Sequence, residues 1–319
     1  MIKLSVVVPC FNVAEFLPET IRSLARNTDP RIEYLFVDDA SQDGTAALLE
    51  AELDHLPGAR LIKNSLNRGL AATRNVGLDA ARGEHLAFLD GDDFVAPGYY
   101  TELVATIERL AVDFVRTDHV RVLGRRRTID RVPYGPRSRP RDPRSGILPD
   151  DRNTSVDYPF AWAGIYHRRL ADAGLLHFTP GLRTCEDRPW NWRLHLGADS
   201  FAVVGLLGVF YRRGITSSLS QVTDTRQFDF VPAFDQILAD VAADPECELL
   251  LPKALRSYAA ILCHHLRRLD SYAPPLDAAL RTLCEQAARR LPREELIKTA
   301  QTLDPDRRRQ LSELIGAAA

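Results

Sequence analysis

Much of what would classify this chain quickly is missing from it. There is no run of eighteen apolar residues, so no helical membrane span is expected. Acid and base nearly cancel, with 41 Lys and Arg against 43 Asp and Glu, which removes the usual electrostatic reason to expect nucleic acid as a partner. Cysteine is sparse, and Cys10, Cys185, Cys247, Cys263 and Cys284 are odd in number, scattered, and form no Cys-x-x-Cys pair. That pattern points to reduced thiols in a cytoplasmic protein rather than to disulfides or a structural zinc. His264 and His265 follow Cys263 directly, but neighbours on a helix point in different directions and rarely share one ion. No Gly-x-Gly-x-x-Gly follows the first strand, which counts against a nicotinamide-dependent dehydrogenase. The opening "MIKLSVVVPCFN" has one Lys before a short apolar run that Pro9 breaks, and it reads as a strand rather than a signal peptide.

What is present is an alternation of strand and helix through the first hundred residues. Apolar runs at 3–9, 33–39, 59–64 and 85–90 predict strands, separated by helical patterns such as Leu17, Ile21 and Leu24. Strands that are apolar throughout, with helices between them, predict a Rossmann-like, mainly parallel sheet covered on both faces. In such α/β sheets the ligand sits at the carboxyl ends of the strands. Those ends are unusually acidic here. The first finishes in Pro9-Cys10-Phe11-Asn12, the second in Asp38-Asp39, and the fourth in Asp90-Gly91-Asp92-Asp93. Helix capping accounts for Ser41 and Asp43. It does not account for paired acids at the tips of two strands, which are better matched by a hard divalent cation, Mn²⁺ or Mg²⁺, bound through oxygen.

Beyond residue 112 the pattern changes. "VDFVRTDHVRVL" predicts two strands, and the Arg- and Pro-rich stretch that follows predicts a loop or flap over about 121–155. Its arginines suit either a solvated surface or an anionic acceptor. An acceptor half is expected over 156–222, completing a domain of 1–222. A helical region of 223–319 follows, with Leu255, Tyr258, Leu262, Leu266 and Leu269 forming an apolar stripe. Packing against the main domain or a twin subunit is its default role.

Four segments, in order, resemble the family 2 glycosyltransferases of the GT-A fold: "SVVVPCFNVAEFLPETIRSL", "FVDDASQDGT", "NRGLAATRNVGLDAARGEHLAFLDGDD" and "CEDRPWNWRL". Within that family the resemblance runs to bacterial enzymes that decorate cell-wall polymers, wall teichoic acid glycosyltransferases among them. The resemblance implies an inverting enzyme that moves a sugar from a nucleotide diphosphate, expected to be UDP, to a hydroxyl of a glycan or anionic polymer. It assigns Phe11 and Asp39 to the base, with Pro9 and Asn12 beside them. Asp90 and Gly91 go to the ribose region, and Asp92, with Asp93 second to it, to the metal. Arg74, Arg212, Arg213 and Ser217 are assigned to the nucleotide sugar. The teichoic-type relatives tend to carry a His shortly before the Ser pair where this chain has Gly214-Ile215-Thr216, which shifts the expectation to the arginines and Ser217.

Asp187 is expected to be the general base and Glu186 to orient a neighbour or the acceptor, although an acid at a helix start also fits "TCEDRPWNW". Trp162 and Trp190 are acceptor-stacking candidates, with packing the stronger reading. Peripheral attachment to a membrane and a homo-oligomer formed through the C-terminal helices remain compatible with the sequence. The rival functions are a non-catalytic sugar-nucleotide or polymer-binding subunit and a sugar nucleotidyltransferase. "PCFNVAEF" lacks the Gly-rich basic loop that the nucleotidyltransferase requires.

Overall fold

A computed structural model describes residues 1–215, 219 and 221–316, which cluster into two compact units. The first holds 1–143, 158–181 and 197–215; the second holds 144–157, 182–196 and the rest of the chain.

The first unit is built on one nine-stranded sheet. Its N-terminal half alternates β1 (Leu4–Cys10), α1 (Leu17–Ala25), β2 (Ile32–Asp38), α2 (Thr45–Glu52), β3 (Ala59–Lys63), α3 (Leu70–Ala80) and β4 (His85–Phe88). These four strands are parallel, in the order β3-β2-β1-β4. Every residue of β1, β2 and β4 is buried, as expected for strands covered on both faces. β5 (Phe94–Val95), α4 (Tyr99–Leu110), β6 (Phe114–Leu123), β7 (Arg126–Asp130), β8 (Gly164–His167), α5 (Arg168–Asp172), α6 (Asp187–Gly197) and β9 (Phe201–Arg212) follow. Here the sheet turns mixed. β8 is antiparallel to β4 and β6, β5 is antiparallel to β9, and only β6 and β9 run parallel.

The structure differs from the sequence reading in three places. "VDFVRTDHVRVL" forms the single strand β6, whose pairing with β9 shifts register between Thr117 and His119, not two strands. Its first seven residues are all buried, so no polar break divides it. The stretch expected as a loop begins as the β6–β7 hairpin, and further on Arg137 is tied to the buried Asp118 carboxylate by bonds of 3.0 and 2.9 Å. Finally, 144–157 and 182–196 belong with the C-terminal helices, whereas the sequence reading places them within 1–222.

The reason for that last difference is a shared apolar core. The second unit carries most of α6 together with α7 (Phe230–Ala242), α8 (Cys247–Leu266), α9 (Leu276–Arg290), α10 (Arg293–Gln301) and α11 (Pro305–Ile315). Ile147, Val156 and Trp192 lie in one cluster with Phe234, Leu255, Tyr258 and Leu262 of the helices. A buried ion pair also ties the segments, because Lys253 of α8 donates to the Asp157 carboxylate and to the Arg152 carbonyl, the latter at 2.6 Å. Among the described residues no helix is long and apolar enough to cross a membrane.

Candidate active site

Strand register brings the candidate residues of the first unit to one edge. Cys10 at the end of β1 is level with Asp38 at the end of β2, and the Asp39 N–H donates to the Cys10 carbonyl at 2.8 Å. β4 ends level with Val7, and past it the Gly91 N–H donates to the Pro9 carbonyl at 3.2 Å. Gly91 needs its missing side chain, since a Cβ there would meet the Pro9 carbonyl oxygen at 2.9 Å and Cys10 Sγ at 3.1 Å. Pro9, Asp39 and the 90–93 turn therefore converge because parallel neighbours end together, as α/β ligand sites require.

Phe11 projects from this edge 46% exposed, a placement that suits a ring meant to receive another ring. Asn12, at φ 53°, accepts from the Gln42 N–H at 2.8 Å, while its own N–H donates to Ser41 Oγ at 3.0 Å. Ser41 therefore supports the turn after β1 and does not cap α2, contrary to the sequence reading. Asp43 does serve a local role, accepting from the Thr45 and Ala14 backbone N–H groups at 3.0 Å each.

Asp39 is more committed than the sequence suggested. Its carboxylate accepts from Asn64 Nδ2 at 2.7 Å, the Arg68 N–H at 2.9 Å and the Gly69 N–H at 2.9 Å. This anchors the loop that leads into α3, where Gly69 takes a positive φ of 84°. Asn64 and the Arg68 backbone were not singled out in the sequence, because hydrogen bonds to a loop backbone leave no residue-type signature.

The acid turn is held from beneath by Thr20 of α1, whose hydroxyl donates to the Gly91 carbonyl at 3.0 Å or the Asp93 carbonyl at 2.7 Å. Thr20 reads in sequence as an ordinary helix residue and gives no sign of this role. Arg74 of α3, buried, donates to Asp90 at 2.7 Å and lies 5.0 Å from the Phe178 ring centroid. Asp92 is half-buried, and its carboxyl is pushed up to about 6, first by burial and then by the neighbouring Asp90 charge.

Asp93, the second candidate for the metal, also has a structural role. It is 0% exposed, and its Oδ1 accepts the Arg212 N–H at 2.7 Å, so it fastens the end of β9 to the turn. Burial, then Asp92 and Asp90, raise its carboxyl well above the usual range.

Arg212 is engaged locally as well. The sequence reading offers it to a diphosphate, but its guanidinium lies 5.4 Å from the Phe16 and 4.8 Å from the Phe94 ring centroids. It donates to the Asp92 carbonyl and to Glu19. Two aromatic rings and a carboxylate occupy it. Arg213 instead lies 5.4 Å from the Tyr211 ring and donates to the Tyr211 hydroxyl at 2.9 Å. Ser217 lies outside the described residues.

The acceptor-side residues fall into different units. Asp187, half-buried, is the first residue of α6, and Glu186 just before it is buried; both belong to the second unit. Both tryptophans are packed rather than presented. Trp162 is 4% exposed among His119, Phe160 and Tyr211, and Trp190 is 0% exposed in the second unit. An indole with no face open to solvent offers no platform, so the stacking expectation gives way to core packing at both positions.

An edge of this kind, with an aromatic, acids and a buried arginine at the ends of parallel strands, defines an α/β protein whose ligand is held outside the sheet by its turns. The chain belongs to glycosyl transferase family 2: the model of that family matches residues 5–169. Among curated proteins it is 29% identical over 237 residues to the uncharacterized glycosyltransferase EpsJ of Bacillus subtilis, covering 73% of this chain and 66% of EpsJ. It is 27% identical over 215 residues to the poly(ribitol-phosphate) beta-N-acetylglucosaminyltransferase TarS of Staphylococcus aureus, covering 66% of this chain and 35% of TarS. The chain thus spans under two thirds of the length of these relatives. Among solved structures, TarS residues 1–349 in complex with UDP-GlcNAc superimpose with a TM-score of 0.72 at 20% identity. That match covers 99% of this chain and 93% of that one, a likeness of fold that includes the C-terminal helices. The GT-A architecture expected from the sequence is therefore the one found.

Proposed function

We propose that this chain is an inverting, divalent-metal-dependent glycosyltransferase that moves a sugar from a UDP-linked donor to a hydroxyl of a glycan or anionic cell-wall polymer. The observation that carries the reading is the 90–93 turn. Three carboxylates follow a buried strand of a family 2 chain, beside Asp39 and the exposed Phe11. Phe11 is available to stack on the base. Asp39 fixes the loop flanking the base position. Arg74 orients Asp90 toward the ribose.

The residues present fit Mn²⁺ or Mg²⁺. The donors are all oxygen, the Asp92 carboxyl is held up by burial and then by the neighbouring Asp90 charge, and Asp93 Oδ2 is buried with no hydrogen-bond partner among the described residues. When bound through Asp92, such an ion supplies charge neutralisation to the departing diphosphate. Asp187 takes the proton from the acceptor hydroxyl, a role resting on its match to the family's Glu-Asp motif, with Glu186 as its buried neighbour. A single displacement from the far face inverts the anomeric carbon. Support for a UDP-sugar and a polymer acceptor comes from the name of TarS and the UDP-GlcNAc bound to it, and from exposed Arg126 and Arg127 on β7.

The test is calorimetric titration of UDP, with GDP, CDP and TDP as competitors, in the presence and absence of Mn²⁺. Mn²⁺-dependent binding selective for UDP is the expected result. Absence of diphosphate binding with metal present defeats the reading and favours a non-catalytic subunit that binds polymer.

A further inference from the structure

The tryptophans expected to stack on sugar are buried, yet the aromatic cluster around one of them is not closed. His119, Tyr158 and Trp162 are buried, while Phe160 and Tyr211 of the same cluster are only half-buried. Phe160 stacks on Trp162 at 4.9 Å between centroids with 29° between planes, and Tyr211 lies 5.1 Å from Trp162 and 5.9 Å from Phe160. From behind, the His119 ring meets Phe160 at 4.9 Å and Trp162 at 4.8 Å, both edge-on. The two outer rings are therefore braced by three inner ones and cannot collapse inward without displacing packed side chains.

Their position follows from β9. Phe210 pairs with Phe94, and the Arg212 N–H is bonded to Asp93, so Tyr211 stands between two residues that touch the acid turn or the strand following it. Alternation along a strand turns Tyr211 to the opposite face from Phe210 and Arg212, toward the aromatic cluster. The Tyr211 phenol is pushed up by burial and stays protonated. Because its oxygen already accepts from Arg213, its hydrogen is left to donate.

We infer that Phe160 and Tyr211 form a sugar-ring platform beside the acid turn. A pyranose face, rich in C–H, lies on the braced rings, and the Tyr211 hydroxyl donates to one of its hydroxyls. The inference rests on the glycosyltransferase reading above. It names the side chains that meet the transferred or accepting ring, a part of the site that the family motifs leave undefined.

The experiment uses the full chain and the variants Phe160→Ala, Phe160→Trp and Tyr211→Phe, with circular dichroism to confirm folding. Affinities for UDP and UDP-GlcNAc are measured with Mn²⁺, together with KM for an N-acetylglucosaminide and a ribitol-phosphate oligomer as acceptors. Phe160→Ala is expected to leave the UDP affinity within twofold of wild type while costing about tenfold in one arm, the loss expected of one aromatic contact. Loss in the ratio of UDP-GlcNAc to UDP affinity assigns the platform to the donor sugar; a rise in acceptor KM assigns it to the acceptor ring. Phe160→Trp restores the loss, and Tyr211→Phe shows a smaller one in the same arm. If Phe160→Ala binds UDP normally and changes neither arm, the platform is overturned. A wild-type chain that binds neither UDP nor UDP-GlcNAc defeats the glycosyltransferase reading itself, and the platform with it.

Discussion

Charge is handled in opposite ways in the helical unit and at the acid turn of the sheet unit. In the helical unit two acids near the core are answered, while Asp240 of α7 is not and is raised by burial. Asp157 receives Lys253 and the Ser257 hydroxyl, the latter at 2.9 Å, and Asp244 receives two Arg144 nitrogens at 2.8 and 2.7 Å. At the turn after β4 only Asp90 has a cation, Arg74. Among the described residues neither Asp92 nor Asp93 forms an ion pair. The carboxyls respond accordingly. Arg144 holds Asp244 below the usual range, while burial and mutual repulsion lift Asp92 and Asp93 above it. Answered charge maintains the fold. Unanswered charge, kept despite its repulsion, is the feature on which the proposed metal site rests.

That contrast is broken most severely where an acid of the helical unit is itself functional. Asp187→Asn is expected to lower transfer by about 10² to 10⁴, the usual worth of a general base, with UDP affinity unchanged. Wild-type turnover by this variant defeats the base assignment and leaves Asp187 a helix-start acid. Next comes Lys253→Met, which strands the Asp157 carboxylate. Urea unfolding should show a loss of about 3–5 kcal/mol, the cost of breaking a buried pair on one side. Thr20→Val, removing the hydroxyl under the acid turn, should cost about 1–3 kcal/mol and loosen UDP binding. A variant as stable as the parent would show that the turn does not depend on this support.

The same comparison sharpens through pH. Burial holds His265 of α8 neutral, its imidazole pushed down to about 3 from 6.5. The unfolded chain then takes up a proton below pH 6.5 that the folded chain refuses, so stability is full above 6.5 and falls as pH drops toward 3. The slope from this one site is at most about 1.4 kcal/mol per pH unit, and His265→Gln should flatten it. The smallest effect has the opposite sign. Asp92→Asn should raise stability by about 0.5–1 kcal/mol by relieving repulsion, while abolishing the Mn²⁺ dependence of UDP binding. Destabilisation by this variant would mean that the turn's charge is answered after all.

Legibility followed the same division. The parallel half of the sheet could be read because buried strands are apolar throughout and their helices carry a three- and four-residue period. β6 was misread because a buried strand containing Arg116, Thr117, Asp118 and His119 looks like a break. The hydrogen bonds those groups do make reach distant partners, such as Tyr166 for Arg116 at 2.6 Å and Arg137 for Asp118. The extent of the helical unit was missed for a similar reason, since 144–157 joins it through Ile147, Val156 and Asp157, three residues that carry no local pattern.

Residue type and order alone determined the family, the strand–helix alternation and the gathering of acids at strand ends, because these are local chemistry repeated at fixed spacing. Only the tertiary structure decided what each candidate does with its neighbours. It turned Asp93 inward to hold β9, placed Arg212 between Phe16 and Phe94, and buried Trp162 and Trp190. It also left Phe160 and Tyr211 at the surface of a braced cluster. Burial and partner choice depend on which distant segments arrive at the same place, and no spacing along the chain encodes that meeting.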